Sequence, residues 1–276
     1  MGDARRPAAG AVQLIPLTVV GSINLDLVAR VETLPREGET LAAHGFARFP
    51  GGKGANQAVA AAKLGARVAM VGAVGEDGYA DEALSGLREA GVELRVERAG
   101  DTGIALIFVA DDGENEIVVV PGANAEVTPV SPGGAVLCQL EVPDAVVLAA
   151  ARDAEFFALN AAPARPVDVE PDLLIVNRLE HEVNARGRLV AVTYGADGAA
   201  LFEAGREIAR ARPPRIEPVD GTAAGDAFAA CLVVSLLEGR PREESVHRAV
   251  TAGALAASRL GAQPSLPTAA ELDALA

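Results

Sequence analysis

Short runs rich in β-formers alternate with Ala- and Leu-rich helical stretches along most of this chain. That alternation restricts the fold to a mainly parallel sheet with helices packed against it. Leu17–Gly21 reads as a first strand. Gly54–Leu64 predicts a helix that Gly65 ends, and Arg67–Val71 the strand after it. Over Tyr79–Ala90, residues Ala80, Ala83, Leu84 and Leu87 share one helical face, and Gly91 supplies a stop. The second half repeats the pattern, with strands at Val136–Leu140, Glu155–Leu159, Leu173–Asn177 and Leu189–Thr193. Helices follow at Gly225–Leu237 and Pro241–Leu260, separated by Gly239. The 276 residues suit one large α/β domain, expected over residues 17–276. Only 3% of them are aromatic and none is Trp, so Ala, Val and Leu must build the core. The expected class is α/β, a mainly parallel central sheet flanked by helices.

Two segments interrupt the alternation. Residues 27–49 and 102–120 lack helical periodicity and are rich in β-formers. The second reads as strands Thr102–Val109 and Glu116–Val120 joined around Asp111-Asp112-Gly113, a hairpin signal. Together they form either a small separate sheet, the raw material of a lid, or an edge extension of the main one; periodicity does not separate the two. A third irregularity lies at Arg178–Gly187, between two expected strands. A parallel crossover generally needs about a dozen residues or more, so either its helix is vestigial or the chain is shortened here. Residues 1–16 carry Arg5, Arg6, Pro and Gly without an apolar segment of signal-peptide type, and are expected to form a flexible tail.

The formal net charge is −14, and no Lys/Arg cluster offers the basic stripe that a nucleic-acid binder needs. If such an acidic chain holds a polyanion, the positive potential must come locally from backbone N–H groups, a helix N-terminus, metal ions and a few cations. No stretch reaches transmembrane length, so no membrane partner is expected. Cys138 and Cys231 both sit in apolar runs and read as buried thiols of a reducing compartment, which places the protein in the cytoplasm. His44, His181 and His247 are scattered without ligand spacing and read as surface residues.

Three segments offer chemistry. Phe49-Pro-Gly-Gly-Lys-Gly-Ala-Asn-Gln57 runs from glycines straight into a helix. It is not a Walker loop, because Gly54 follows Lys53, nor a dinucleotide fingerprint, because Gln57 stands where Gly or Ala is needed. It fits an ordinary tight turn, or a loop on which a small ligand lies against backbone while Lys53 and Asn56 meet its hydroxyls. Pro218-Val-Asp-Gly-Thr-Ala-Ala-Gly-Asp226 precedes a helix. Its small residues leave the first N–H groups of that helix uncovered, an arrangement that attracts anions. Asp226 in the first turn would be a general base beside such an anion, while Asp220 or Asp226 equally fits a simple cap. Asn24 and Asp26 directly follow the first strand, at the carboxyl edge where open α/β sheets bind ligands. Spaced i and i+2, they point to one side and suit a sugar, or they mark a strand-end turn.

Taken in order, these segments resemble the ribokinase branch of the PfkB carbohydrate kinases, from about Val19 to Pro267. The matching stretches are Gly21-Ser-Ile-Asn-Leu-Asp26, Gly51-Gly-Lys-Gly-Ala-Asn-Gln57, Thr102-Gly-Ile-Ala-Leu-Ile-Phe108 and Pro121-Gly-Ala-Asn124. They continue with Gln139-Leu-Glu141, Asn160-Ala-Ala-Pro163, Ala223-Ala-Gly-Asp226 and Gly261-Ala-Gln-Pro-Ser265. The resemblance implies ATP-dependent phosphorylation of D-ribose at its 5-hydroxyl. Asn24, Asp26, Gly52, Lys53, Asn56 and Glu141 would hold the sugar, Asp226 would be the base, and the amides of Ala223, Ala224, Gly225 and Asp226 the anion hole. Asn177 and Glu180 match an Asn-x-x-Glu pattern that organises Mg²⁺ and phosphate through water. Thr193, Gly195 and Gly198, with Gly225, match the segments lining the nucleotide. Asp220, Thr222, Ala256, Arg259, Gly261 and Ser265 match a site for an activating monovalent cation, usually K⁺. The two β-rich segments match a lid that also clasps a homodimer.

The chain departs from the family in two regions. Arg178–Gly187 is about twenty residues shorter than the resemblance implies, well below a full crossover unit, and Val127–Val136 is trimmed; Gly221 also stands where Thr is common. A kinase for deoxyribose, another sugar or a nucleoside is the alternative within the class. Outside it, the alternative is a non-catalytic sugar-binding protein on the same scaffold.

Overall fold

The computed structural model of the chain describes residues 16–275; the tail expected over residues 1–16 lies outside them save for Pro16, which opens a strand. In chain order the elements begin with β1 (Pro16–Val20), β2 (Asn24–Val31), β3 (Gly45–Gly51), α1 (Lys53–Lys63) and β4 (Arg67–Val74). Next come α2 (Ala80–Ala83), α3 (Ser85–Glu89), β5 (Glu93–Arg98), β6 (Gly103–Ala110), β7 (Asn115–Val120) and β8 (Gly134–Gln139). Then follow α4 (Asp144–Arg152), β9 (Ala154–Asn160), β10 (Leu173–Asn177), α5 (Arg178–Val183), β11 (Leu189–Thr193), β12 (Ala199–Glu203) and β13 (Arg206–Ala211). The chain closes with α6 (Ala224–Leu237), α7 (Arg242–Ala257), α8 (Ala262–Ser265) and α9 (Ala269–Asp273).

A nine-stranded sheet runs in the order β13-β12-β11-β10-β9-β8-β1-β4-β5. All neighbours from β5 to β11 pair in parallel, and β12 and β13 close one end as an antiparallel hairpin. Both faces of this sheet are buried, as parallel sheets require. Along β10, Leu173 and Ile175 enter the core under α1, α6 and α7, while Leu174 and Val176 enter the opposite core under α4. The scarcity of aromatic residues shows in the packing. Helix α6 is buried from Asp226 through Ser235 by small and aliphatic side chains, and α7 comes so close that a Cβ on Gly253 would sit 3.1 Å from the Ala224 carbonyl oxygen.

The interrupting segments form a separate four-stranded sheet of order β3-β2-β6-β7. It is therefore no edge extension of the large sheet. Asn24 and Asp26 lie within its strand β2, not in a turn after the first strand, and their i, i+2 spacing puts both on one face. Only Gly21–Ile23 joins β1 to this sheet, so the carboxyl edge of the large sheet leads directly into it.

Several elements differ from the sequence reading. The helix expected over Tyr79–Ala90 is two short helices that break at Leu84. Strand β5, helix α4 and the hairpin β12–β13 are additional. The connection from β10 to β11 holds a helix of only six residues, α5, yet the two strands pair in parallel with Leu173 opposite Leu189. The crossover helix is thus vestigial. Cys138 and Cys231 are free and buried, and burial pushes both thiols up to about 12. His44, His181 and His247 are all exposed, and among the described residues no helix is long and apolar enough to cross a membrane.

Backbone contact at Gly54 is the tightest joint between helix and sheets. A Cβ there would lie 2.7 Å from both the Gly21 carbonyl carbon and the Ser22 nitrogen. Gly54→Ala should therefore destabilise the fold by about 1–3 kcal/mol, read as a lowered midpoint in urea unfolding; an unchanged midpoint would show that the joint relaxes freely.

Candidate active site

The start of α1 lies against β2. Gly51 passes so close to Asp26 that a Cβ would meet its carboxylate oxygens at 2.3 Å, and Gly52, at φ 87°, would meet the Asn24 nitrogen at 2.7 Å. Glycine is therefore required at both positions. Glu141, just beyond β8, accepts from Ser22 Oγ at 2.5 Å and from the Lys53 N–H at 3.3 Å on the same oxygen. Asn124 is fully enclosed: its Oδ1 accepts from the Ile23 N–H, and its Nδ2 donates to Asn24 Oδ1 at 2.7 Å, which fixes that side chain.

Helix α6 brings Asp226 to the same place. Its Oδ2 accepts from Asn56 Nδ2 at 3.0 Å and its Oδ1 from Gln57 Nε2 at 2.9 Å. A cavity of about 370 Å³ is lined by Asn24, Asp26, Gly52, Lys53, Asn56, Glu141, Asn160, Asn177, Glu180 and Asp226, with Ala105, Ile107, Asn115, Ile117 and Val119 of the small sheet as its cover. All six sequence-derived sugar positions and Asp226 therefore share one chamber. A second cavity of about 510 Å³ has largely apolar walls from Pro213, Pro214, Ile216 and Pro218, from Phe228, and from Val250, Gly253 and Ala254 of α7; Gly195, Gly198 and Arg215 also border it. The two cavities share Thr193, Gly225 and Phe228, so they meet at the N-terminus of α6.

That terminus is unusual. Ala223 adopts the left-handed conformation (φ 61°, ψ 5°) as the N-cap of α6, and a left-handed residue followed by helix makes a concave nest of N–H groups. Among the described residues the N–H groups of Ala223, Gly225 and Asp226 have no acceptor, whereas Ala224 donates to the Gly221 carbonyl at 3.2 Å. Of the four amides expected to meet an anion, that of Ala224 is thus already engaged. A Cβ on Gly225 would meet nothing within 4 Å, so the space over these amides is open.

The charges in the chamber are coupled. Burial, followed by the nearby Glu141 and Asp226, raises Asp26 to about 7 against the lowering effect of Lys53. Burial also raises Asp226, opposed by Lys53 and by the Asn56 and Gln57 amides. For Lys53, burial acts downward, but Asp226, Glu141, Glu180 and Asp26 outweigh it, and the ammonium holds its proton more tightly than usual. Glu180 is raised by burial against the Asn177 N–H and Lys53.

Asn177 and Glu180 form a reciprocal capping box at α5: Glu180 N–H donates to Asn177 Oδ1 at 2.9 Å, and Asn177 N–H to Glu180 Oε2 at 2.8 Å. Asp220 links the loop before α6 to the turn after α7. Its Oδ1 accepts from Thr222 N–H and Oγ, and its Oδ2 from Gly261 N–H at 2.8 Å. Ala256 offers a carbonyl that already accepts from the Arg259 N–H, the Arg259 side chain pairs with Glu271, and Ser265 Oγ donates to the Ala262 carbonyl. Sequence reasoning assigns no role to Gln57, Asn124, Gln139 and Asn160, although all four stand inside the stretches it quotes. Their partners lie far along the chain, and no spacing rule exposes them.

A family profile described as pfkB family carbohydrate kinase matches residues 16–165 and 146–269. The chain belongs to the pfkB family of carbohydrate kinases. It is 35% identical to a ribokinase of Bacillus subtilis (strain 168), over 94% of this chain and 98% of that protein. Among solved structures, a ribokinase of Thermotoga maritima superposes with a TM-score of 0.83 at 32% identity, covering 95% of this chain and 98% of that one. A ribokinase of Arabidopsis thaliana, complexed with ribose and ATP, also gives 0.83, at 30% identity over 95% and 99% of the two chains.

Asp26 makes the chamber pH-sensitive. Its carboxyl is near 3.8 when unperturbed and about 7 in the fold, so between those values the folded state binds the extra proton and stability falls as pH rises. Asp226 and Glu180 act in the same direction. Without ligand, the thermal midpoint should drop from pH 5 to pH 8, and Asp26→Asn should flatten that drop; an identical slope in the variant would contradict the assignment.

Proposed function

We propose that this chain transfers the γ-phosphoryl group of ATP to the 5-hydroxyl of D-ribose. The observation carrying this reading is the junction of two cavities at the free amides of α6, with the Asp226 carboxylate on the polar side. Asn24, Asp26, Gly52, Lys53, Asn56 and Glu141 offer the acceptors and donors that several adjacent hydroxyls need, and the small sheet covers them. Asp226, raised toward neutrality yet held by two amides, accepts the proton of the attacking hydroxyl, general-base work typically worth about 10²–10⁴-fold. The N–H groups of Ala223, Gly225 and Asp226 stabilise charge on the transferring phosphoryl group, with the α6 dipole behind them. The groove at Thr193, Gly195 and Gly198 takes the nucleotide, its base against the apolar wall of Phe228, Val250 and Pro214. These local donors answer the problem of an acidic protein holding a polyanion.

Two ions fit this arrangement. Glu180 uses Oε2 in its cap, and its Oε1 has no protein donor among the described residues; with Asn177 it suits the water shell of Mg²⁺, which when bound with ATP neutralises phosphate charge. Asp220 with the Ala256 carbonyl, and with Thr222, Arg259, Gly261 and Ser265 on the joined loops, gives a hard-oxygen setting for K⁺ just ahead of the α6 terminus. The buried free thiols support a reducing, cytoplasmic location. Strand β7 is an open edge on which Ile117, Val118, Val119 and Val120 are all exposed. Such an edge invites pairing, which supports a homodimer clasped through the small sheets.

Asp226→Asn should lower kcat by roughly 10²–10⁴ while ribose still binds, measured by coupled ADP release and calorimetry; near-full turnover in the variant would remove the assigned role. The same assay over ribose, deoxyribose, other sugars and nucleosides decides the acceptor, and turnover indifferent to potassium would dismiss the cation site. Val118→Glu should convert the dimer to monomer in light scattering, and a parent that is already monomeric would refute the clasp.

A further inference from the structure

Behind the Asp226 carboxylate lies a chain of buried amides, Gln57, Gln139 and Asn160, of which Asn160 alone borders a cavity. Gln57 is completely enclosed on a face of α1 otherwise built from Gly, Ala, Val and Asn56. Its Nε2 donates to Asp226 Oδ1 and to Asn160 Oδ1, each at 2.9 Å, and its Oε1 accepts from Gln139 Nε2 at 2.6 Å. Asn160 is itself oriented, because its Nδ2 donates to the Ile175 carbonyl at 3.3 Å. Gln139 is held against backbone: a Cβ on Gly21 would lie 1.8 Å from its Oε1.

These contacts are consistent in one sense only. With its amide reversed, Gln57 would set an oxygen against two acceptor oxygens and an NH₂ group against another. Asn56 grips Asp226 Oδ2 from inside the chamber, and Gln57, the next residue, grips Oδ1 from behind it. We propose that Gln57 is a positioning residue that fixes the Asp226 carboxylate for proton acceptance, and that Gln139 sets the direction in which the Gln57 amide points. The proposal rests on the reading of Asp226 as the base. A donor to the ionised carboxylate favours that form, so removing it raises the pKa. The charged groups facing Asp226 are Lys53 from α1, Asp26 from β2 and Glu141 beyond β8, with Glu180 of α5 on the same chamber, and none is altered by changing Gln57.

The test compares the parent with Gln57→Leu and with Gln139→Leu, which removes the donor to Gln57 Oε1 without adding a charge. Ribose kinetics are followed against pH, and the Asp226 carboxyl is titrated by ¹³C NMR, its signal identified by loss in Asp226→Asn. In both variants kcat should fall about tenfold or more, with KM for ribose within about twofold, and the acidic limb and the Asp226 titration should move up by about one unit or more. A lower kcat with an unmoved limb and titration would mean that Gln57 only packs, and overturns the proposal. If Gln57→Leu does not fold, Gln139→Leu decides by the same readings. A parent that turns over no sugar defeats the functional reading alone; the NMR titration then upholds the grip if it moves and overturns it if it does not.

Discussion

Where β1 leaves the large sheet, two stretches of backbone touch with no side chain between them. Gly21–Asn24 lies against Gly51–Gly54 so closely that Cβ atoms on Gly52 and Gly54 would fall within 2.7 Å of main-chain atoms. This contact joins the large sheet, the small sheet and α1 at one point. Four polar side chains of the chamber follow from it: Asn24 and Asp26 come from one side of the contact, Lys53 and Asn56 from the other. Helix α6 completes the set by packing on α1, which turns Asp226 toward Asn56 and Gln57.

The electrostatics of the chamber follow from enclosure. Four carboxylates, those of Asp26, Glu141, Glu180 and Asp226, share a single ammonium group, Lys53. Held away from water, Asp26, Glu180 and Asp226 move toward neutrality, and each retains partners that favour ionisation. The N-terminus of α6 is built differently. It relies on main-chain N–H groups and a helix dipole, which add positive potential without altering the protein's net charge. On the function proposed above, acceptors for hydroxyls and donors for phosphate thus occupy opposite sides of one helix terminus.

Strands β10 and β11 were legible to the residue because both are short apolar runs buried on two faces. Strand β5 was not: it is an edge, and Glu93–Arg98 alternates charge where a central strand would be apolar. The β12–β13 hairpin turns through Ala204 at φ 48° and Gly205, without the Asn-Gly or Asp-Gly pair that announces such turns. In the site, Asn24, Asp26, Lys53, Asn56, Glu141 and Asp226 were readable because they sit in short stretches whose order resembles a known family. The amides behind them were not, since Gln57 and Asp226 stand 169 positions apart and a buried glutamine has no local signature. The separate sheet illustrates the same limit, because periodicity gives strands but not the sheet they join.

The left-handed Ala223 has one more consequence. Glycine would adopt that conformation freely, whereas alanine gives up roughly 1–2 kcal/mol to hold it, and its methyl group confines the loop in return. Gly225, two residues further on, is already restrained by the helix. The direction of these N–H groups is therefore settled once, when the chain folds, and not anew with each arriving anion. On the function proposed above, the disorder that a floppy phosphate cradle would lose on every cycle has been removed beforehand, and strain at a single alanine stands in its place.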